Sequence, residues 1–476
     1  MHRSKLIDLL KTFNSKELKG LEDFLHSPIH NQSVRCQQLF ELIKPYFGDF
    51  GHIDLAKENI FFQLFPEKKQ FGSSLSVVMA QLAKLAQDFL IFRKFEQNKA
   101  LQTFLLLDSL NERNLDKHFL RTWKSAKKAE DNLPMKNIGD YYNQYLLTLN
   151  KFQYDVGHQK QWSELGIREV LNDLDLFYLI GQLKYYGALA NLQRLAPQQS
   201  QQKIPIEAIN QMIERCEWQR IPLVELHQIT LSLTLFPEDS SHFFRLKAFL
   251  QSSNARTIFS NDLHDAYSLG LNYCNQKILS GELDYLQEMF ELYKGMIQED
   301  LWYKGGYLSH RKLKNVISLG ARFEEFQWSK FFLKKHLKYI HPDFRDMAEV
   351  FNLGAIYYYQ GNFGKAMPYL LQVNNLDAFY ATDARVLLLK IYYELGQTIE
   401  LLDLENSFKI FIKSQRELSK SRKRAYIHFV KFLVALYRIQ HKQLKSRKSL
   451  ETLKKEIETT SPISDKQWLE RKIEVL

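Results

Sequence analysis

Apolar residues recur at helical spacing along nearly the whole chain. Leu75, Val78, Met79, Leu82, Leu85, Ala86, Phe89 and Leu90 follow the i, i+3, i+4, i+7 order of one helix face. No stretch shows the sustained period-two alternation of a strand. Breakers are scarce, with nineteen Gly and eleven Pro in 476 residues, roughly half of ordinary usage. The pattern predicts long helices separated by short turns, and an all-α fold.

Residues 1–128 read as an N-terminal helical domain of five or six helices. Asn14 and Glu17 have capping-box spacing for a helix Ser15 to Leu25, which Pro28 closes. Ile53 to Phe65 and Ser73 to Phe95 flank a turn at Pro66-Glu67-Lys68-Lys69. Helix, turn and helix invite a DNA-reading assignment. Hairpins are general in all-helical proteins, however, and the second helix is apolar on two adjoining stripes with few basic residues. Asn111 to Asn114 and Asn132-Leu133-Pro134 mark breaks, and Asp140 is placed to cap a helix Tyr141 to Asp155 that stops at Gly157. Asp173 to Leu195 follows, then the polar segment Ala196 to Lys203, which reads as a loop. Helices are expected near Ile206–Arg215, Leu223–Leu235, Ser241–Gln251 and Asp262–Leu279, after which Gly281 turns the chain into Leu283 to Ile297.

From about residue 313 a unit recurs. Leu353, Gly354 and Tyr357 are followed by Gly361, Phe363, Ala366 and Leu370; Leu388, Tyr392, Gly396 and Leu401 repeat the order thirty-five residues on. Leu319, Gly320, Phe323, Trp328 and Phe332 precede it by thirty-four or thirty-five. Gly354 and Ala366 are small enough to let two helices approach, while Leu353, Tyr357 and Leu370 fill the space between them. Gly361 suits the left-handed turn that ends the first helix. The unit resembles the tetratricopeptide repeat, a helical hairpin of about 34 residues. Where that signature has a bulky residue, a second aromatic, a second Ala and a Pro, this chain has Val350, Leu370, Val373 and Ala378. The resemblance implies an α-solenoid of hairpins over 129–412, clearest over 313–412. Its structural positions are Leu319, Gly320, Leu353, Gly354, Gly361, Ala366, Leu388 and Gly396.

Charge then sets the C-terminal part apart from the rest. Between Lys413 and Lys455 there are fourteen Lys or Arg against Glu417 and Glu451, while the whole chain carries +11. Residues 413–476 therefore read as a basic C-terminal helical cap. On a helix Lys423 to Ser446, Arg424, Lys431, Arg438, Lys442 and Lys445 fall within about 60°. Tyr426, Val430, Leu433, Val434, Tyr437 and Leu444 face elsewhere as an apolar stripe. Such a ridge could hold phosphates, an anionic membrane surface or an acidic partner. It equally suits the polar outer face required at the end of a solenoid. Ser464-Asp465-Lys466-Gln467 has capping-box spacing for a last short helix.

Most aromatics, such as Tyr141, Tyr142, Tyr145 and Phe152, lie at helical spacing and read as core. Tyr357, Tyr358 and Tyr359 are consecutive and cannot all face inward, so at least one is expected on the surface as a binding anchor. No phosphate loop, dinucleotide-binding glycine pattern, HExxH or nucleophile elbow is present. Pro28 separates His26 from His30, His264-Asp265 sits at a helix start where Asp is stabilising, and Gly305-Gly306 lacks the lysine of a phosphate cradle. The expectation is a protein that is not an enzyme and uses no metal or cofactor. Cys36, Cys216 and Cys274 are odd in number and far apart, as in a reducing compartment. Asp8 and Lys11 interrupt any secretory signal, and the apolar run Val430 to Tyr437 is short and contains Lys431. A cytoplasmic location without a membrane span is expected.

The chain also resembles, over nearly its full length, a bacterial all-helical family whose function is not established. The resemblance rests on Leu10-Lys11-Thr12-Phe13 with Glu17, Phe24-Leu25-His26-Ser27-Pro28 with Asn31, and Ile60-Phe61 with Leu64-Phe65-Pro66. It continues through Leu271-Asn272-Tyr273-Cys274 with Gly281, Phe326-Gln327-Trp328-Ser329-Lys330-Phe331, and Ala384 to Tyr393. It departs at Ile29-His30, where an aromatic pair is expected. The resemblance implies the fold and no activity. The functional expectation is a scaffold or adaptor that binds a protein or peptide through Tyr357 to Tyr359 and the basic helix. The alternative is a nucleic-acid-associated regulator that contacts phosphates through the basic helix.

Overall fold

The computed structural model describes residues 4–158, 164–195, 202–303, 307–441 and 447–476. Within them the chain forms 23 α-helices and no strand, so the all-α class holds. Two compact units emerge, residues 1–133 with 142–174, and residues 134–141 with 175–476.

The first unit contains α1 (Lys5–Leu10), α2 (Ser15–His26), α3 (Val34–Ile43), α4 (Lys57–Leu64), α5 (Ser74–Gln97), α6 (Lys99–Glu112) and α7 (Asp116–Asp131). Most of α8 (Ile138–Gly157) and the first turns of α9 (Glu164–Leu195) complete it. The capping box at α2 forms: Asn14 Oδ1 accepts from the Glu17 N–H at 3.0 Å, and Glu17 Oε2 accepts from the Asn14 N–H at 3.0 Å. This satisfies two of the N–H groups that a helix start leaves unpaired. α5 buries Leu75, Val78, Met79, Leu82, Ala86 and Phe89 in the core shared with α1 to α4. Among the described residues it is the one helix long and apolar enough to cross a membrane by length and composition.

Two helix starts differ from those expected. α8 begins at Ile138, capped by Asn137, whose Oδ1 accepts from the Gly139 N–H at 2.7 Å; Asp140 returns a bond to the Asn137 N–H at 2.8 Å. Asp140 is therefore the back-bonding member of the motif and not its cap. α9 starts at Glu164 and not at Asp173, because only Gly166 interrupts an otherwise helix-favouring stretch.

The second unit continues with α10 (Ile206–Arg215), α11 (Pro222–Leu235), α12 (Ser241–Gln251), α13 (Ser260–Leu279), α14 (Tyr285–Gln298), α15 (His310–Arg322) and α16 (Phe326–His336). After these come α17 (Pro342–Tyr359), α18 (Phe363–Leu371), α19 (Ala378–Leu395), α20 (Thr398–Ser414), α21 (Lys420–Gln440), α22 (Arg447–Thr459) and α23 (Lys466–Val475). Chain neighbours pair as helical hairpins: α11 with α12, α13 with α14, α15 with α16, α17 with α18, and α19 with α20. α15 also packs on α17, and α17 on α19. The core falls into two apolar clusters, one ending near Ile356 and one running from Met347 to Ile473, and Leu337 and Phe344 touch both.

Close approach within these hairpins depends on missing side chains. A Cβ on Gly354 would lie 2.8 Å from Leu370 Cγ, and one on Gly320 would lie 2.6 Å from Ser329 Oγ. Ala366, Leu319 and Leu388 are buried, and Leu353 packs half-buried against the first cluster. Gly361 (φ +71°) and Gly396 (φ +68°) turn left-handed where α17 and α19 end, a conformation that costs other residues about 1 kcal/mol or more. Of the segments singled out in the sequence, 196–201 and Gly305-Gly306 lie outside the described residues.

Replacing Gly354 by Ala should cost about 1–3 kcal/mol of stability in urea denaturation, the usual range for overpacking. Gly364→Ala serves as the control, because a Cβ there meets nothing within 4 Å, and it should be neutral or slightly stabilising. Equal losses in the two variants would contradict this packing account.

Candidate functional site

Asp377, Asp383, Lys390 and Glu394, at the start and along the length of α19, each find a partner on another segment, whereas Arg385 bonds back to Ala381 O of α19 at 2.8 Å. Asp377 caps it, with Oδ1 accepting from the N–H groups of Phe379 (2.9 Å) and Tyr380 (3.0 Å). Its Oδ2 accepts from Arg311 Nε of α15 at 2.7 Å and faces His310 Nε2 at 3.0 Å. Asp383 accepts from Lys314 of α15 and from the Tyr426 hydroxyl of α21, the latter at 2.8 Å. Lys390 donates to Asp465, next to α23, at 2.6 Å, and Glu394 pairs with Lys472 of α23 at 2.6 Å. One helix thereby ties together three others.

Asp377 and Lys390 are buried, Asp383 and Glu394 are half-buried, and the Asp465 side chain keeps 35% of its surface exposed. Burial alone would push Asp377 up, but the bonds from His310, the Tyr380 N–H and Arg311 hold it well below the usual carboxylate range. Asp465 shows the same contest: burial raises it, and the Lys390 charge and hydrogen bond, with Arg322 and Arg471, bring it below its ordinary value. Burial, reinforced by Asp383, keeps the Tyr426 phenol protonated far above its normal range.

Beside this helix opens a cleft of about 570 Å³. Its wall includes Tyr358, Tyr359 and Phe363 around the α17–α18 turn, Arg322 at the end of α15, Lys390, and Asp465, Gln467, Trp468 and Arg471 from the α23 segment. Trp468 packs edge-on against Tyr393 (5.2 Å between ring centroids) and Phe429 (6.0 Å). Lys390 lies 5.5 Å from the same indole. Burial pushes the Tyr359 phenol up to about 12.

The three consecutive tyrosines are all half-buried, and none is fully exposed. Tyr358 and Tyr359 enter the cleft, whereas Tyr357 stacks on Tyr369 at 5.8 Å with Lys330 4.7 Å above it. On α21, Arg424, Lys431 and Arg438 are exposed in one row, and Tyr426, Val430, Leu433, Val434 and Tyr437 are buried on the other side. Lys431 reaches Glu456 of α22 at 3.1 Å. α21 ends at Gln440; Lys442, Leu444 and Lys445 lie outside the described residues.

The expected capping box at Ser464 is not formed. α23 starts at Lys466 after Asp465, which is left-handed (φ +48°) and makes no side-chain cap bond. Its carboxylate goes to Lys390, and Gln467 accepts from Arg322 at 2.7 Å. A charged partner across the fold has displaced a local cap. The sequence reading also missed Lys314, Asp383 and Lys390 as a set. The visible signal was Lys390 itself, a lone charge inside Leu387-Leu388-Leu389-Lys390-Ile391, which in a buried helix demands a counter-charge.

No group of three or more His, Cys, Asp or Glu among the described residues is placed to hold a metal ion. His26 bonds back to Glu22 O at 2.8 Å, and His30 stacks on Phe24 at 4.1 Å.

Asp465→Asn tolerates the left-handed backbone and removes only the charge. It leaves the Lys390 ammonium, 5% exposed, without a counter-ion and should cost about 3 kcal/mol. Adding Lys390→Met should recover most of that loss. A double variant as unstable as the single one would show that the pair does not act as a unit.

Compared with known proteins, the chain matches no family model, no curated protein and no solved structure.

Proposed function

We propose that this chain is a non-enzymatic interaction protein, a solenoid of tetratricopeptide-like hairpins that docks an acidic protein or peptide partner. The observation that carries this reading is the exposed row on α21. Arg424, Lys431 and Arg438 recur every seven residues and span about 21 Å of helix. Arg424 and Arg438 have no carboxylate within 4.0 Å among the described residues. The neighbouring helix α20 exposes Ile399 (74%) and Ile410 (73%). Exposed cations and exposed apolar side chains on two helices that pack together suit a protein surface, where desolvated anchors and charge complementarity act together. Successive packing of α15 on α17 and α17 on α19 supports the solenoid, since each hairpin then buries its apolar face on the next.

A second reading takes the same row as a phosphate contact for nucleic acid, in a regulator of which the solenoid is the carrier. Three or more such contacts would make binding fall steeply with salt. In either case the reading places the protein in the cytoplasm, with reduced cysteines: Cys36, Cys216 and Cys274 are free, and the buried Cys274 thiol is pushed up to about 12.

Arg424→Glu with Arg438→Glu, both at exposed positions, should leave the thermal midpoint within a few degrees. In affinity purification from native lysate, with and without nuclease, wild type should recover a discrete protein in both conditions and the variant should lose it. Recovery of nucleic acid alone, removed by nuclease and by the variant, would replace the first reading with the second. Recovery of the same protein by wild type and variant would remove α21 from both.

A further inference from the structure

The cleft beside α23 points to a ligand of its own, independent of a partner on α21. Three cations line it, Lys390, Arg322 and Arg471. Lys390 is neutralised by Asp465 at 2.6 Å. Arg322 donates to the neutral amide of Gln467 at 2.7 Å, and Arg471 is exposed. Neither guanidinium has a carboxylate within 4.0 Å among the described residues. Both line the same cleft, and both lower the proton affinity of Asp465 and of Tyr359 there.

The remaining lining acids, Asp284 and Glu324, come from the turn before α14 and the turn after α15. Both are exposed to water, where their charge is screened. Arg471 and Asp465 are exposed as well, so the lining holds three carboxylates and three cations, and among the described residues only Lys390 and Asp465 form an ion pair in it. The first turn of α23 adds N–H groups without a side-chain cap, and these also favour an anion.

We propose that this cleft binds a small phosphate-bearing molecule, with the phosphate between Arg322 and Arg471 and its body against Tyr358, Tyr359 and Trp468. Two guanidiniums on different segments match the oxygens of a dianion, because each presents a planar fork that phosphate accepts bidentately. The volume of about 570 Å³ falls within the range of roughly 300–1,000 Å³ typical of small-molecule sites, so a compact ligand is the fitting occupant. Half-buried aromatic side chains beside the cations suit a heterocyclic body. A nucleoside diphosphate has this chemistry. Bound there, it would bridge α15 to α23 through the two arginines, adding to the contact that Arg322 makes with Gln467.

The test is calorimetric titration of the full chain at constant ionic strength with inorganic pyrophosphate, a nucleoside diphosphate and triglutamate as probes. Saturable binding of one equivalent of either phosphate probe is expected. Arg471→Gln should weaken it at least tenfold with an unchanged thermal midpoint, and Arg322→Gln should weaken it similarly. Arg424→Glu/Arg438→Glu should bind the phosphate probes as wild type does. No binding of either phosphate probe to wild type, or binding unaltered in both arginine variants, would overturn the proposal. Triglutamate binding as tightly as pyrophosphate, with the same loss in Arg471→Gln, would overturn the assignment of phosphate.

Discussion

A charge buried in a protein must find a counter-charge, and in the second unit of this chain that requirement is concentrated on one helix. α19 is buried along nearly its whole length, yet it contains Asp383 and Lys390 and is capped by Asp377. Desolvating an ion costs several kcal/mol. Each of these groups therefore fixes where a second helix must lie: α15 supplies Arg311 and Lys314, α21 supplies Tyr426, and the segment at α23 supplies Asp465. The apolar contacts around them are general, and any helix with a greasy stripe could make them. The polar contacts are particular. A buried ion pair adds little net stability over an apolar pair of the same volume, but mispairing leaves an uncompensated charge. The ladder on α19 therefore selects which helices pack and in which register.

The same constraint produces the cleft. Because Asp465 is drawn to Lys390 and Gln467 to Arg322, the α23 segment is tied to α19 and to α15 at these two contacts, and the cleft opens beside them. Arg471 follows one turn later on α23 and faces the same opening. Of the cations gathered in this way Lys390 is buried and Arg322 half-buried, whereas Arg424, Lys431 and Arg438 of α21 are exposed.

Local structure was readable from the sequence wherever a single residue or a short spacing decides the geometry. Gly361 and Gly396 mark left-handed turns, Gly354 and Gly320 mark places where a Cβ would collide, and Asn14 with Glu17 closes a box over three residues. Each is a steric or hydrogen-bond requirement satisfied within one hairpin. The ladder on α19 was not readable, since its partners lie 43 to 78 residues apart in the chain and no local pattern joins them. Ser464 to Gln467 illustrates the difference. Its spacing fits a cap, but Asp465 and Gln467 are both claimed by distant side chains, so a correct helix start hid a different use of the residues. Tyr357 to Tyr359 fall between the two cases: helical geometry shows that they must diverge, and only the fold shows that two of them line the cleft and one stacks on Tyr369.

The most direct test of this account is native-state hydrogen exchange, resolved by peptide across the second unit. If the ladder joins its helices, the amides of α15, α19, α21 and α23 should open together as one cooperative unit, with protection close to that of global unfolding. Exchange of α21 or α23 at a much lower opening free energy than α19 would contradict it. In that case the buried charges would be local pairs on a helix whose neighbours are held by apolar packing alone.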